Sequence, residues 1–209
     1  ITNPEKIHQI YNGYDKLNYD KIDEIKPKKF NIVFTGMLTQ NHNYETFYEV
    51  LKILKSKENN LNLILTLAGR IDKKIIKIFS NKIELINKGY IDHNNAISTI
   101  KSSHLLINFN YKNTEETDMI SGKLIEYLAS GSPIINFSNS AKESEIVLKT
   151  STKSFNANKN NIDQVVNFIK SEYSEWLEGR YKKQKPINIS SLSRENLTQK
   201  LLDIIRKLK

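Results

Sequence analysis

Residues 117–137, TDMISGKLIEYLASGSPIINF, place small, basic and acidic side chains at the predicted start of a helix. Ser121 and Gly122 can open the helix, because a serine hydroxyl caps free N–H groups and glycine lets a ligand approach the backbone. Lys123 follows in the first turn, where the helix dipole disfavours a cation unless an anion neutralises it. This pattern favours a phosphate beside Gly122 and Lys123, with the Glu126 carboxylate accepting hydrogen bonds from sugar hydroxyls.

Glu126 also has a purely structural interpretation. Leu124, Ile125 and Leu128 recur at helical spacing and predict a buried stripe, so the glutamate belongs to a mainly apolar helix. It is then a solvated helix residue, a partner for Lys123, or a ligand-binding group. Spacing alone leaves both interpretations open.

The elements around this helix place its amino end at the edge of a sheet. Residues 104–108, HLLIN, predict a buried strand before the polar loop. The helix is predicted to end at 129–131, where Gly131 tolerates the left-handed conformation past a helix end. Residues 133–135, PII, then begin another strand. A loop thus leads from the carboxyl end of one buried strand into a helix amino terminus, where open α/β sheets bind anionic ligands.

A longer pattern in the same segment resembles a known family. Seven residues separate Asp118 from Glu126, and residues 127–135, YLASGSPII, follow directly. This run resembles the E-x7-E segment of GT-B glycosyltransferases of family-4 type, in particular the branch that reads S-G-K-L-x-E-Y-L-A-x-G-x-P-I. The resemblance implies that Glu126 binds the nucleotide ribose. It also implies that Asp118, which stands where the family has glutamate, contacts the donor sugar at the catalytic site.

The resemblance implies further donor contacts along the chain. Backbone N–H groups at the helix start are expected to hold the pyrophosphate, at Ser121, Gly122, Lys123 and Leu124. Gly36, at the end of the first strand, is expected near the phosphates, and Tyr90 and Ile91 near the base. On sequence alone, Gly36 is equally typical of a turn, and a tyrosine after a strand is typical of a core or rim position.

One loop departs from the family pattern. Residues 37–43, MLTQNHN, lack the Arg or Lys pair with which many members neutralise the pyrophosphate. A leaving diphosphate needs positive charge in the transition state. We therefore expect Arg70 and Lys123 to supply it; the alternative is a donor site that binds without turnover.

The composition limits the class of protein. The chain has 209 residues, of which 38% are hydrophobic, and no cysteine. It is long enough for a substantial core, fits a reducing compartment, and has no apolar run near the ~20 residues that span a bilayer. The net charge of +9 comes from lysines dispersed among acids, which is typical of a solvated surface. We therefore expect no nucleic-acid partner, while peripheral contact with an acidic membrane surface is left open.

Strands and helices alternate along most of the chain. Apolar runs predict strands, and helical periodicity predicts helices. The predicted strands are 30–36, 61–69, 83–86, 104–108, 133–137 and 153–157, and the predicted helices are 44–57, 72–79, 93–102, 121–130, 143–148, 162–176 and 193–208. Such alternation predicts an α/β fold, a Rossmann-like doubly wound parallel sheet with helices on both faces.

Three segments are expected. Residues 1–29 would be a strand and an irregular connector from a missing N-terminal half, with the strand and an Asn-Gly turn at 6–15. This region resembles the I-x-N-G-Y-D segment of the same family. Residues 30–180 would form the nucleotide-sugar-binding domain. Residues 181–209 would be a basic linker and a C-terminal helix that packs back on it.

The resemblance implies the C-terminal, donor-binding domain of a glycosyltransferase. Such an enzyme moves a sugar from a nucleoside diphosphate to a glycan, lipid-linked or protein acceptor with retention of configuration. We expect a UDP- or GDP-sugar as donor substrate and an acceptor bound through the missing N-terminal half. Because the sequence begins with Ile1 and that half is not in it, this fragment alone is expected to be inactive.

The remaining expectations are negative or alternative. We expect no cofactor, and no metal site, since His42, His93 and His104 lack the spacing of metal ligands. A cytoplasmic location is expected, with the inner face of the membrane left open. The alternative function is a non-catalytic nucleotide-binding or scaffold module of a larger assembly.

Overall fold

One parallel sheet organises the fold. The computed structural model describes residues 7–57, 61–112, 122–138, 148–151, 153–186 and 188–207. The strands in this part of the chain are β1 (Phe30–Leu38), β2 (Leu63–Ile71), β3 (Glu84–Asn87), β4 (Leu105–Phe109), β5 (Ile134–Phe137) and β6 (Ser154–Ala157). They pair in the order β3-β2-β1-β4-β5-β6, and every pair is parallel.

The described helices are α1 (Lys16–Lys21), α2 (Glu45–Lys57), α3 (Lys73–Ser80), α4 (His93–Lys101), α5 (Gly122–Ser130), α6 (Ile162–Leu177) and α7 (Arg194–Lys207), with a 3₁₀ turn at Ile189–Leu192. None of them is long and apolar enough to cross a lipid bilayer. From residue 30 onward, the predicted elements that lie within the described residues are present, with ends that differ by one or two residues. The helix expected at 143–148 lies almost entirely outside the described residues.

Both faces of the sheet are covered by helices. On one face, Ile32 and Phe34 pack with α2, α3 and α6. On the other face, Val33 packs with α4 and α5. Burial on both sides explains why β1 reads as an almost continuous apolar run. The predicted doubly wound α/β fold is confirmed.

The strand order reverses between β1 and β4. From β1 the chain moves outward to β2 and β3, and then returns to place β4 on the other side of β1. Loops that leave β1 and β4 therefore turn to opposite faces of the sheet. In open α/β sheets this reversal opens a crevice at the carboxyl ends of the strands, and ligands bind there.

The segment before β1 differs from the prediction. Residues 7–13 form no strand, and Tyr14 makes only an isolated bridge to Ser193. The connector predicted at 14–29 contains α1, because the Asp15 carboxylate caps the helix by accepting from the Asn18 N–H at 2.9 Å. Tyr19 is buried on this helix, and its hydroxyl donates to the Glu126 carbonyl oxygen at 3.1 Å. The cap at Asp15 and the buried Tyr19 thus stabilise a helix in a highly charged stretch.

Polar side chains join the last three strands inside the sheet. Asn108, Asn136 and Asn156 lie opposite one another on β4, β5 and β6. The Asn108 amide donates to Asn136 at 2.7 Å, and the Asn136 amide donates to Asn156 at 3.0 Å. We call these three residues the amide ladder. It lies on the α5 side of the sheet, above the apolar layer that contains Leu106 and Ile134.

Candidate functional site

A cleft of about 390 Å³ opens at the carboxyl edge of the sheet, beside the reversal of strand order. We call it the edge cleft. It is bounded by the ends of β1 and β2, the segment after β3, and the starts of α4 and α5. Six of the residues predicted as donor-binding line it: Gly36, Arg70, Tyr90, Ile91, Lys123 and Glu126.

Glycines form the floor of the edge cleft. Gly36 and Gly69 are paired on β1 and β2, with φ of +117° and +126°. The Gly69 N–H donates to the Gly89 carbonyl oxygen at 2.6 Å. A Cβ on Gly69 would overlap the Gly36 carbonyl oxygen, so a side chain cannot be accommodated there. The prediction that Gly36 ends the first strand is wrong, because this pairing of two glycines continues β1 to Leu38.

Lys123 brings a positive charge over this floor. Its Nζ lies 4.5 Å from the centroid of the Phe34 ring and 3.3 Å from the place of a Cβ on Gly36. Burial lowers the pKa of the Lys123 ammonium to about 8, because a cation loses hydration there. No carboxylate or hydrogen-bond acceptor in the described part of the chain pairs with it. The ammonium is therefore available to an anion that enters the edge cleft.

Glu126 presents a mostly buried carboxylate one turn further along α5. Its side chain is 18% exposed, and Oε1 lies 3.8 Å from His93 Nε2. Burial raises the pKa of the Glu126 carboxyl, while His93 and Arg194 act to lower it. Glu126 and Lys123 form no ion pair with each other. No side chain among the described residues donates a hydrogen bond to the Glu126 carboxylate. Both of its oxygens can therefore accept hydrogen bonds from a ligand.

Tyr127 connects the two halves of the site. Its side chain is fully buried, and its hydroxyl accepts from the Thr35 N–H at 2.9 Å. Burial raises the pKa of the Tyr127 hydroxyl to about 12, so it is neutral at physiological pH. The bond fixes the end of β1, with its glycine floor, to the helix that carries Lys123 and Glu126.

The rim of the edge cleft carries an aromatic ring and a cation. The Tyr90 side chain is 79% exposed. The guanidinium carbon of Arg70 lies 5.7 Å from the centroid of its ring, within the range of a cation–π contact. This exposed flat surface is of the kind on which a planar ring can stack.

The other predicted residues are placed differently. The Leu124 side chain is buried in the core, so only its backbone is available to a ligand. Gly122 lines a second cleft of about 570 Å³, between residues 10–13, the start of α5 and α7. We call this the α7 cleft, and Glu126 borders both clefts. Ser121 and Asp118 lie outside the described residues.

Residues that the sequence did not identify also lie at the site. His93 and Met37 line the edge cleft, and Arg194 lines the α7 cleft. Arg194 is about seventy residues from Glu126 in sequence, and no spacing pattern could have joined them. His93 directly follows Asp92, the N-cap of α4. The sequence signal that could have identified His93 is this capping aspartate, two residues after Tyr90.

The loop after β1 adds no positive charge. His42 is buried, and its Nδ1 accepts from the Thr39 N–H at 3.1 Å. Burial lowers the pKa of His42, and Lys123 lowers it further, so the ring is neutral at physiological pH. Within the described ranges, no three His, Cys, Asp or Glu side chains are grouped so that they could hold a metal ion.

No protein-family profile and no curated protein sequence matches this chain. Solved structures do resemble it. The lipopolysaccharide outer core galactosyltransferase WaaB in its apo form superposes with a TM-score of 0.64 at 13% identity, covering 100% of this chain and 57% of WaaB. Anabaena HepE in complex with UDP gives a TM-score of 0.63 at 12% identity, covering 95% of this chain and 57% of HepE.

A third similar structure is the pneumococcal O-GlcNAc transferase GtfA in complex with UDP and GlcNAc, with a TM-score of 0.58 at 14% identity. The alignment covers 90% of this chain and 38% of GtfA. This chain therefore spans between 38 and 57% of the length of these three proteins. The shared architecture is a Rossmann-like parallel sheet with helices on both faces, and at such low identities the likeness shows the fold alone.

Proposed function

We propose that the chain is the C-terminal donor-binding domain of a family-4-like glycosyltransferase. The complete enzyme would transfer a sugar from a UDP- or GDP-sugar to a glycan, lipid-linked or protein acceptor, with retention of configuration. The acceptor would bind through an N-terminal half, on the cytoplasmic side, and this fragment alone would bind donor without transfer. We propose that this transfer uses no bound cofactor.

The convergence of six predicted residues on one cleft carries the proposal. A side-chain-free floor at Gly36 and Gly69 lets phosphates approach the backbone. Lys123, which has no carboxylate or acceptor partner among the described residues, supplies a cation above it. Glu126 offers a carboxylate in the same cleft, one turn further along α5, and Tyr90 with Ile91 offers a surface for the base. Asp118 is assigned to the donor sugar by resemblance.

Glu126→Ala is expected to weaken UDP binding by about 1.5–3 kcal/mol, the value of hydrogen bonds to a charged group. The affinity for inorganic pyrophosphate should be unchanged, since it has no ribose. Isothermal titration calorimetry with UDP, GDP, ADP and pyrophosphate measures both effects. Asp163→Ala, an exposed acid at the start of α6 that does not line the edge cleft, is the control. Unchanged UDP affinity in Glu126→Ala would contradict the assignment.

The affinity for UDP is expected to fall as pH rises above about 8. Burial lowers the pKa of free Lys123 to about 8, and a bound diphosphate stabilises the charged form. Binding is therefore strongest below this pKa and weakens by up to roughly tenfold per pH unit above it. Titrations between pH 7 and pH 10, where the phosphates are fully ionised, measure the slope. The same slope in Lys123→Met would contradict this origin.

One observation favours a second candidate, a nucleotide-binding module without turnover. The loop after β1 provides only a neutral, buried His42, so part of the positive charge that a leaving diphosphate needs is missing. Incubation of the full-length protein with UDP-sugars separates the candidates. Release of UDP supports the enzyme, and tight binding with no release of UDP supports the module.

A further inference from the structure

The Glu126 carboxylate is not fixed by hydrogen bonds in the described part of the chain. Only its backbone is anchored, through the Tyr19 hydroxyl. A glutamate side chain with free rotation loses conformational entropy when a ligand orders it. A site that uses this carboxylate therefore gains affinity if a neighbouring group holds it in the binding orientation beforehand.

Two positively charged or polar groups approach the carboxylate from different sides. Arg194 lies toward the α7 cleft, and its Nε is already used in a bond to the Gly13 carbonyl oxygen at 3.1 Å. His93 lies in the edge cleft, with Nε2 at 3.8 Å from Glu126 Oε1. The carboxylate borders both clefts, so the group that attracts it more decides which cleft its oxygens face.

His93 is held where it can do this. It is the first residue of α4, whose start is fixed by the Asp92 carboxylate accepting from the Asn95 N–H at 2.9 Å. The neighbouring Asn94 accepts from the Asn18 amide at 2.8 Å, which ties the start of α4 to α1. The backbone of His93 is thus fixed, while its side chain lines the edge cleft and is 48% exposed to solvent.

We propose that His93 is a positioning residue that turns the Glu126 carboxylate toward the edge cleft, so that it accepts hydrogen bonds from the ribose hydroxyls of a nucleoside diphosphate. This inference rests on the proposed function of the cleft. His93 then contributes to nucleotide affinity through Glu126 and makes no contribution to the binding of the phosphates.

A double-mutant cycle tests this role. The variants are His93→Ala, His93→Gln, Glu126→Gln and the double variant His93→Ala/Glu126→Gln, and the ligands are UDP, 2′,3′-dideoxy-UDP and inorganic pyrophosphate. Ser98→Ala is the control, because Ser98 lies further along α4 and does not line the edge cleft. Calorimetric dissociation constants are the readout.

His93→Ala is expected to weaken UDP binding by about 3–10-fold, a coupling typical of contacting residues. The loss should disappear for dideoxy-UDP, for pyrophosphate and in the Glu126→Gln background. His93→Gln should recover most of the affinity, because its amide can also donate to the carboxylate.

Three results would overturn the inference while leaving the proposed function intact. They are an unchanged UDP affinity in His93→Ala, an equal loss with and without Glu126, and an equal loss for pyrophosphate. A failure of the unmodified protein to bind any nucleoside diphosphate would instead overturn the proposed function, and this inference with it.

Discussion

Replacing Lys123 with methionine is expected to remove most of the affinity for UDP and to make the unliganded protein more stable. The first effect follows from the loss of a charged hydrogen-bond donor to the diphosphate, about 1.5–3 kcal/mol. The loss should be larger for UDP and pyrophosphate than for uridine. Equal losses of affinity for UDP and uridine would contradict the assignment of Lys123 to the diphosphate.

The gain in stability follows from the burial of a cation that has no carboxylate or acceptor partner within the described ranges of the chain. Desolvation lowers the pKa of Lys123 to about 8, so at pH 7 the folded protein holds this ammonium at a cost. Methionine is one atom shorter than lysine and keeps an unbranched apolar stem over Phe34 without the charge, and the free energy of unfolding should rise by about 2 kcal/mol. The difference in the free energy of unfolding between Lys123→Met and the wild type should shrink as pH rises from about 8 toward the pKa of lysine in the unfolded chain. In this range Lys123 of the folded wild type loses its proton, and the cost of burying the charge disappears.

Urea unfolding and calorimetry on the same two proteins measure these opposite effects. Lys52→Met is the matched control, because Lys52 is an exposed lysine that pairs with Glu49 and should change neither quantity by more than a few tenths of a kcal/mol. A fall in stability in Lys123→Met would show that the ammonium already has a partner.

Gly69→Ala is expected to disrupt the edge cleft and the sheet beneath it. The added Cβ would overlap the Gly36 carbonyl oxygen, which belongs to the paired strand and cannot turn away as a side chain could. The φ of +126° at this position is also unfavourable for any residue with a Cβ. The free energy of unfolding should fall by about 3 kcal/mol or more, with loss of UDP binding.

Gly179→Ala separates the steric overlap from the backbone strain as causes of the expected loss of stability. Gly179 also has a positive φ, +71°, but a Cβ there would meet nothing within 4 Å. It should lose only about 1 kcal/mol from backbone strain and bind UDP normally. If Gly69→Ala were no worse than Gly179→Ala, the close approach of β1 and β2 would not be essential.

The fold was predictable because its signals are local. Buried strands such as β1 and β4 read as short apolar runs, and their alternation with amphipathic helices allows few arrangements other than a parallel sheet. The meeting of Gly36, Tyr90 and Lys123 at one edge also follows, since parallel strands present their carboxyl ends together. Their roles in donor binding stay predictions.

The remaining features depend on contacts between distant segments. The approach of Arg194 to Glu126 requires α7 to fold back across the amino end of α5, and nothing in the spacing of either helix encodes that path. The extension of β1 beyond Gly36 depends on its glycine partner, Gly69, in another strand. Helix α1 was not predicted because its segment is highly charged and has a single buried residue, Tyr19. The hydrogen-bond partner of Tyr19 lies on α5, which is distant in sequence.

The amide ladder has a consequence for how the last three strands find one another. Short aliphatic strands carry little information about their alignment, since sliding one by two positions still buries apolar side chains. Here such a slide would set the Asn136 amide against Leu106 or Asn108 against Ile134, stranding hydrogen-bonding groups at about 1–3 kcal/mol each. The three asparagines therefore favour the observed alignment of β4, β5 and β6 over one shifted by two residues, at some cost in hydrophobic stabilisation.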